Sequence, residues 1–502
     1  MSENSPEPER NASLRSSSHG MNRTIRHIAV FSLLMVLALL VRATWLQGYQ
    51  ADALADNDRN QRKKIAQYAQ PLGDIVVAGA PVTGSTRSES GDLAYQRTYP
   101  DGGLYAPVTG YSSQLYGSTQ LEGIYSEVLD GTDDRLKNPA DALTRKQQEP
   151  GTVLTTIDPE VQKAGYRALG DTKGAAVAVD PATGKILSLV STPSYDPSAI
   201  AGMDGADAWQ ALLADEDKPM VNRAIRQPLP PGSTFKLVVA AAALEEGRYG
   251  SVDEPTDSPM PYVLPGTVRE LPNDIASAPC ENASIRTAMR WSCNNVFAKL
   301  AVDLGQDTVR AMAEKFGFND KELDVPVRAY ASVYPSGMDR AQTALTGIGQ
   351  FDVTATPLQM AMVSAAIAND GVLKAPHMVS EVVDGDGETL ESYEDAPAER
   401  IMSERTAEQL RSAMVTVVED GTGSNARVAG AEVGGKTGTA QHGENNARTP
   451  YAWFTSYAKD PASGKEVAVA VLIEDAGGPR SEVSGNGLAA PVAQKMMAAA
   501  LK

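Results

Sequence analysis

The stretch that decides the fold is residues 230–239, which read Pro-Pro-Gly-Ser-Thr-Phe-Lys-Leu-Val-Val. Two prolines and a glycine prevent regular structure from leading into it, so the sequence predicts a helix that begins at about Ser233. The helix continues through apolar residues to Leu244 and ends near Gly247, which suits a left-handed cap. Only Lys236 is polar in its body, and a helix that is apolar all round is buried.

Ser233 and Lys236 are three residues apart, so a helix places them side by side on one face. A hydroxyl beside an amine at the mouth of a buried helix is an arrangement that activates a nucleophile. The pair also has a plain structural explanation, because a capping serine near a lysine whose amine reaches solvent is common. The rest of the sequence has to decide between these two interpretations.

Composition sets the broad class. A length of 502 residues predicts two or three domains with a large core. The net charge of −18 argues against a nucleic-acid partner. The chain has 4 histidines and 2 cysteines, and no pair of them has the spacing of zinc ligands, so we expect no metal and no cofactor.

The N-terminus predicts a membrane anchor. Residues 1–27 are polar and read as a disordered cytoplasmic tail, and residues 28–46 read as one transmembrane signal anchor. A cleaved signal peptide is the alternative, but no clear small-x-small site follows the apolar run. Basic residues flank the apolar run on both sides, so their distribution does not fix which end of the anchor faces the cytoplasm. The activity inferred below from the motifs is what places the bulk of the chain outside the cytoplasm.

Residues 47–149 predict a separate, non-catalytic pedestal domain. Its first part, residues 53–64, reads as a polar helical stalk, and short apolar pieces between Gly, Ser and Pro turns follow, which is typical of a small β-rich domain. The remainder, residues 150–502, has strand patterns at both ends and helical patterns between them. The sequence therefore predicts an α+β fold in which one antiparallel sheet, assembled from distant pieces, carries an all-helical subdomain.

Two further motifs lie in the region 150–502. Residues 292–294, Ser-Cys-Asn, fall between two predicted helices, and residues 434–439, Gly-Gly-Lys-Thr-Gly-Thr, read as a strand. The strand presents Lys436 with two hydroxyls beside small residues, so that another backbone can lie close along it. Taken singly, the first motif could be an ordinary helix–helix turn and the second a glycine-rich bulge.

Together the three motifs are specific. Ser-x-x-Lys, Ser-x-Asn and Lys-Thr-Gly, in this order, are typical of penicillin-binding proteins and serine β-lactamases. The chain also resembles the class B penicillin-binding proteins, in particular those of actinobacteria, at further landmarks: residues 174–184, 193–197, 356–359 and 421–423. One departure is Phe351, which follows Gly349-Gln350 where many relatives carry glycine.

This resemblance implies the transpeptidase fold of that family and a set of roles. Ser233 is the expected nucleophile that becomes acylated, Lys236 its general base and Ser292 the proton relay to the leaving amine. The substrate is expected to contact Asn294, Lys436, Thr437, Gly438 and Thr439. The backbone N–H groups of Ser233 and Thr439 form the implied oxyanion hole.

The implied activity is peptidoglycan D,D-transpeptidation, inhibited by β-lactam antibiotics. The expected partners are stem peptides ending in D-Ala-D-Ala, the cytoplasmic membrane, and a membrane glycosyltransferase that polymerises glycan. No Glu-x-x-Leu-Asn segment is present, which argues against a class A β-lactamase, and the roughly 100 residues after the anchor are too few for a glycosyltransferase domain. A D,D-carboxypeptidase and, less favoured, a membrane-anchored β-lactam sensor remain as alternatives.

The two cysteines, Cys280 and Cys293, predict a disulfide. Both lie in the part of the chain expected to be exported, and a loop of this size gives roughly 3 kcal/mol in the chain-entropy model. The bond would brace the segment that presents Ser292 and Asn294. The alternative is two buried thiols.

Overall fold

The computed structural model describes residues 17–49, 64–65, 67–88, 93–136, 148–393, 396–475 and 480–502. The chain divides into two compact units, residues 1–66 and residues 67–502. The first 16 residues of the predicted tail lie outside the described residues, and so does the predicted stalk except for residue 64.

The first unit contains one long helix, Ser17–Tyr49. Its segment Arg23–Leu46 has 24 residues and a mean hydropathy of 2.2, so it is long and apolar enough to cross a membrane. The predicted span, residues 28–46, lies inside this segment. Near the end of the helix, Trp45 stacks on Tyr49 with ring centroids 4.8 Å apart.

The centre of the second unit is an antiparallel sheet assembled from both ends of residues 150–502, as the sequence predicts. We call residues 150–502 the catalytic region, after the activity that the resemblance implies, and the part of the second unit before residue 150 the N-terminal region. In spatial order its five strands are Glu432–Ala440, Tyr451–Lys459, Glu466–Asp475, Lys173–Val179 and Ile186–Thr192. Glu432–Ala440 is therefore an edge strand, and we call it the motif strand because it carries the Lys-Thr-Gly residues. Lys173–Val179 and Ile186–Thr192 are neighbours in sequence and pair as an antiparallel hairpin.

Strand alternation divides the core between the two faces of this sheet. Ala176 and Ala178 pack with helices Pro159–Leu169 and Ala490–Ala500 on one face. Ala175, Val177 and Val179 belong to the larger core on the opposite face. Successive side chains point to opposite faces of a strand, so a strand that is apolar at every position is covered on both sides.

The larger core is mostly helical. Its central element is the helix Lys236–Glu245, which we call the nucleophile helix. Its residues 236–243 are all fully buried, as a sequence that is apolar from Leu237 to Leu244 predicts. The other helices of the catalytic region are Ala206–Ala214, Arg223–Arg226, Ile285–Trp291, Asn294–Leu304, Gln306–Lys315, Arg340–Thr346, Pro357–Ala368 and Glu404–Asp420. Helix Pro357–Ala368 begins at Thr356, whose hydroxyl accepts a hydrogen bond from Gln359 N.

The N-terminal region contains both strands and helices. Four of its strands form two small antiparallel pairs, Gly84–Arg87 with Tyr95–Thr98 and Ser112–Ser113 with Gly117–Ser118. The helices are Gly102–Thr109, Gln120–Ile124 and Ser126–Asp130.

A second five-stranded sheet joins the N-terminal and catalytic regions. In spatial order its strands are Thr389–Ser392, Val379–Val383, Thr152–Thr155, Ile75–Val77 and Ala80–Pro81. Ile75–Val77 runs parallel to Thr152–Thr155, which is antiparallel to Val379–Val383 on its other side. This sheet crosses the predicted domain boundary at residue 149, and the division into a pedestal and a catalytic domain stays a prediction.

Candidate active site

Ser233 lies on a 3-10 turn, Gly232–Phe235, that leads into the nucleophile helix. The sequence predicts an α-helix from about Ser233, whereas the α-helix begins at Lys236. The turn is held by a backbone hydrogen bond to a distant loop. Gly232 has φ +55°, and its N–H donates to Gly349 O at 3.0 Å. A Cβ on Gly349 would lie 2.0 Å from Gly232 O, so the two backbones meet only because residue 349 is glycine.

Lys236 is fully buried beneath this turn, and its amine is held by the Ser-x-Asn segment. Its Nζ donates to Ser292 O at 2.8 Å, to Ser292 Oγ at 3.2 Å and to Asn294 Oδ1 at 2.7 Å. The described hydrogen bonds do not include one between Ser233 and Lys236. Catalytic hydrogen bonds are often long before substrate binds, so Lys236 remains the candidate base although it is not hydrogen-bonded to Ser233.

Ser292 connects the two buried lysines. Lys436 is fully buried, and its Nζ donates to Ser292 Oγ at 3.0 Å and to Thr437 O at 2.9 Å. Ser292 ends helix Ile285–Trp291 with a left-handed conformation, φ +58° and ψ +43°. A non-glycine residue in this region is strained, and such strain is typical of functional positions.

The two amines have strongly altered acidity. Burial lowers the pKa of Lys236 to about 7, although the negative charge of Asp274 acts in the opposite direction. Burial also holds the pKa of Lys436 well below its usual value, and the positive charge of Lys236 lowers it further, while Asp274 opposes both effects. Burial is therefore the main reason that a neutral amine can exist beside Ser233 near neutral pH.

Asn294 lies within the same hydrogen-bond network. Its Oδ1 accepts from Lys236 and its Nδ2 donates to Pro272 O at 2.8 Å. The backbone N–H of Asn294 donates to Asn273 Oδ1 at 2.6 Å, so Asn273 holds the first turn of helix Asn294–Leu304. Asn273 is missing from the residues predicted from the sequence, and an asparagine in an irregular loop gives no signal that would reveal it.

The motif strand passes directly beside the turn Gly232–Phe235, which we call the nucleophile turn. A Cβ on Gly438 would lie 2.8 Å from Pro231 O and 2.9 Å from the Trp453 Cβ, so glycine is required for this close contact. The hydroxyl of Thr437 forms a 2.8 Å hydrogen bond with the hydroxyl of Thr422. Thr422 belongs to the Gly-Thr-Gly landmark, to which the sequence assigned no role.

An open cleft of about 340 Å³ lies over Ser233. Asn294, Thr439, Gln350 and Asp274 also line it. Phe351, the departure from the family pattern, is in its wall and has φ +53°, a conformation that glycine adopts without strain. The cleft therefore joins the predicted nucleophile to residues of all three motifs, and adds an aromatic wall.

The structure joins Cys280 and Cys293 in a disulfide with Cα atoms 5.6 Å apart. Both residues are fully buried, and Cys293 lies between Ser292 and Asn294. Asn295 Nδ2 donates to Cys280 O at 2.8 Å, which adds a second link between the same two segments.

We expect peptide mapping of the native, non-reduced chain to recover Cys280 and Cys293 in one cross-linked peptide. Reduction should lower the free energy of unfolding, because the unfolded chain regains the entropy of a short loop. Labelling of both cysteines by a thiol reagent after denaturation without reductant would contradict the bond. The same labelling after reduction is the control.

The geometry defines a serine acyl-transfer site. A hydroxyl at the mouth of a buried helix, a lysine amine with its pKa near 7 and a second hydroxyl between two amines provide a nucleophile, a base and a proton path. The neighbouring edge strand offers backbone groups to a peptide chain.

Comparison with known proteins agrees with this class. Residues 174–498 match the penicillin binding protein transpeptidase domain, and residues 72–153 match the penicillin binding protein A dimerisation domain. The chain belongs to the penicillin-binding protein transpeptidase family.

Individual relatives are similar over nearly the whole chain. The peptidoglycan D,D-transpeptidase PbpA of Mycolicibacterium smegmatis is 39% identical over 96% of this chain and 99% of its own length. PbpA of Mycobacterium tuberculosis is 37% identical over the same shares. The solved ceftriaxone acyl-enzyme complex of M. tuberculosis penicillin-binding protein A superposes with a TM-score of 0.81 at 36% identity, and covers 87% of this chain and 100% of that one.

Proposed function

We propose that this chain is a peptidoglycan D,D-transpeptidase that cross-links stem peptides through an acyl-enzyme on Ser233. The observation that carries the proposal is the junction at Ser292 Oγ, which two buried lysine amines contact at 3.2 and 3.0 Å beside the Ser233 turn. Relatives that are D,D-transpeptidases by name, and solved relatives described as β-lactam acyl-enzyme complexes, support it. β-Lactams inhibit the enzyme by acylating the same serine.

The acylation step follows from the lowered pKa of Lys236, which allows its amine to be neutral near pH 7. The neutral amine of Lys236 takes the proton of Ser233 as Oγ bonds to the carbonyl carbon between the two terminal D-alanines. The C–N bond then breaks, and the departing nitrogen takes a proton that Ser292 relays from Lys236. Terminal D-alanine leaves with a free amine, and the rest of the donor peptide remains as an ester on Ser233.

Lys436 is suited to the terminal carboxylate of the donor. A carboxylate beside this amine favours its protonated form, so bound substrate raises the pKa of Lys436, which burial by itself holds low. Thr437 and Thr439 add hydroxyl donors, Gly438 leaves room for the peptide backbone, and Asn294 is assigned to the substrate amide. Asn294 also accepts a hydrogen bond from Lys236, so substrate must share or displace that contact.

Transpeptidation and carboxypeptidation share the acyl-enzyme and differ only in the acceptor. We expect the full chain, given a thioester mimic of the donor peptide, to form an aminolysis product when a D-amino acid is added. With water alone, release should be slow, because no glutamate is placed by a motif to activate water. Mass spectrometry of the products measures the partition.

Fast release with water alone, and no aminolysis product when acceptor is added, would reassign the chain as a D,D-carboxypeptidase. A stable acyl-enzyme with no product under either condition would favour a β-lactam sensor. A Ser233→Ala chain treated identically is the control for uncatalysed thioester cleavage.

We also propose where the enzyme works. The apolar helix Arg23–Leu46 anchors the chain in the cytoplasmic membrane as a single pass, with residues 150–502 acting outside it on the wall polymer. In this arrangement residues 47–149 serve as a non-catalytic pedestal. A membrane glycosyltransferase that supplies new glycan is the natural partner, because residues 47–149 are too few to polymerise glycan themselves.

A further inference from the structure

A groove lies between the N-terminal region and the catalytic region, away from Ser233. It consists of two cavities of about 460 and 480 Å³ that share Thr119, Gln120 and Arg226 in their walls. No residue lines both this groove and the cleft over Ser233 among the described cavities. The mechanism proposed above uses none of the groove.

Polar atoms without hydrogen-bond partners indicate what kind of ligand the groove binds. Asn222 is 5% exposed and lines the first cavity, and its Nδ2 donates to Pro107 O at 2.8 Å. Its Oδ1 has no partner among the described residues, and neither do Gln120 Oε1 and Ser194 Oγ, which line the same cavity. Buried polar atoms are nearly always satisfied, so two amide oxygens and a hydroxyl in one cavity indicate a polar ligand with N–H and O–H donors.

The apolar part of the wall is aromatic. Tyr111 and Trp209 line the first cavity with ring centroids 5.7 Å apart, and Trp209 also stacks on Tyr116 at 4.2 Å. Tyr111 is buried and Trp209 half-buried. A broad, flat, partly accessible ring of this kind is suited to the C–H face of a pyranose, whose hydroxyls then point to its rim.

One cation stands where the two cavities meet. Arg226 packs over the ring of Tyr330 with 5.2 Å between its guanidinium carbon and the ring centroid, and it forms no ion pair with a described residue. Arg328, in the second cavity, is already paired with Glu322 and Asp324. Since the chain carries a net charge of −18, an unpaired arginine in a groove favours a ligand with its own carboxylate.

We propose that this groove binds a carboxylate-bearing, N-acetylated glycan, which for this enzyme is the sugar backbone of the wall polymer. The choice of polymer rests on the proposed function. The acetamido N–H and hydroxyls satisfy Asn222 and Gln120, one sugar face packs on Trp209, and the carboxylate of a peptide-free muramyl unit pairs with Arg226. Two adjoining cavities accommodate consecutive sugars of one strand, and residues 222–226 continue along the chain into the nucleophile turn.

The test is calorimetric binding of the disaccharide N-acetylglucosaminyl-N-acetylmuramic acid to the full chain in detergent. We expect binding that weakens at least about tenfold in Trp209→Ala, because an aromatic contact of this size is lost, and that is largely restored in Trp209→Phe. Arg226→Gln should weaken it similarly, whereas the matched control Arg405→Gln, at an exposed helix position elsewhere, should not. Acylation of Ser233 by labelled penicillin should be unchanged in all four variants.

The inference is overturned if the disaccharide does not bind, which would leave water as the occupant, or if Trp209→Ala and Arg226→Gln bind it as the unchanged chain does. Binding of a sugar-free stem peptide that competes with the disaccharide and is lost in Trp209→Ala would also overturn it, in favour of a peptide site. The acylation readout keeps the two proposals separate. Loss of labelling in the unchanged chain contradicts the proposed function, and loss of disaccharide binding contradicts only the groove.

Discussion

Replacement of Ser233 by alanine is expected to abolish acylation completely. The full chain treated with a labelled penicillin should gain one covalent adduct, and the Ser233→Ala chain should gain none, because the bond to the acyl group is made by the hydroxyl oxygen that is removed. Ser233 is 6% exposed and lies on a turn fixed by backbone contacts of Gly232, so alanine fits without disturbing the fold. Intact-protein mass spectrometry measures the adduct directly.

A matched control is Ser463→Ala, which removes an exposed hydroxyl from the turn before strand Glu466–Asp475. It should label like the unchanged chain. Full labelling of Ser233→Ala would mean that another residue is the nucleophile, and peptide mapping of the adduct would then identify it.

Loss of the Lys236 amine has the second largest expected effect. Lys236→Ala should remain folded yet acylate at least roughly 10²-fold more slowly, the usual scale for losing a general base. The change removes an amine that burial makes costly to charge, but it also leaves Ser292 O and Asn294 Oδ1 without this donor, so folding has to be measured alongside acylation. Stopped-flow acylation rates and a thermal unfolding curve of the same sample separate the two effects.

Lys236→Met keeps most of the side-chain volume and should be as slow as Lys236→Ala, which excludes an empty cavity as the cause. Lys465→Met, at an exposed position, is the matched control and should acylate at the normal rate. A Lys236→Ala chain that acylates within a few fold of normal would remove Lys236 as the base.

The pH profile tests the same assignment without a mutation. Because the pKa of Lys236 is lowered to about 7, its amine carries a proton below that pH and is neutral above it. Only the neutral amine can accept the proton of Ser233, so the acylation rate should fall about tenfold per pH unit below 7 and level off above it. The remaining rate of Lys236→Ala should not show this inflection, and a profile that rises towards low pH would contradict a neutral lysine base.

Local chemistry explains why so much of the site was predictable. Ser233 and Lys236 are three residues apart on one buried element, and Ser292 and Asn294 follow the end of a short helix, so short-range spacing carried the information. The uniformly apolar sequence up to Leu244 predicted burial, and burial is the main cause of the lowered pKa of Lys236. The contact between Lys436 and Ser292 was not predicted, since 144 residues separate them and the resemblance assigned Lys436 to the substrate.

Contacts set by the three-dimensional arrangement of loops could not be predicted in this way. Asn273 holds the backbone of Asn294 from 21 residues away, and Thr422 contacts Thr437 from an irregular loop. Neither residue type carries a periodic signal. The same holds for strand Thr389–Ser392, which is largely polar and gains its place by pairing with Val379–Val383.

The parallel pairing of Ile75–Val77 with Thr152–Thr155 limits how the chain can be divided in the laboratory. A fragment that starts at residue 150 keeps Thr152–Thr155 but loses its neighbour on one side. The bare peptide groups of that strand would face water and offer a template on which a second molecule could add its own strand. A soluble catalytic fragment should therefore begin ahead of Ile75, whatever sequence similarity suggests as its boundary.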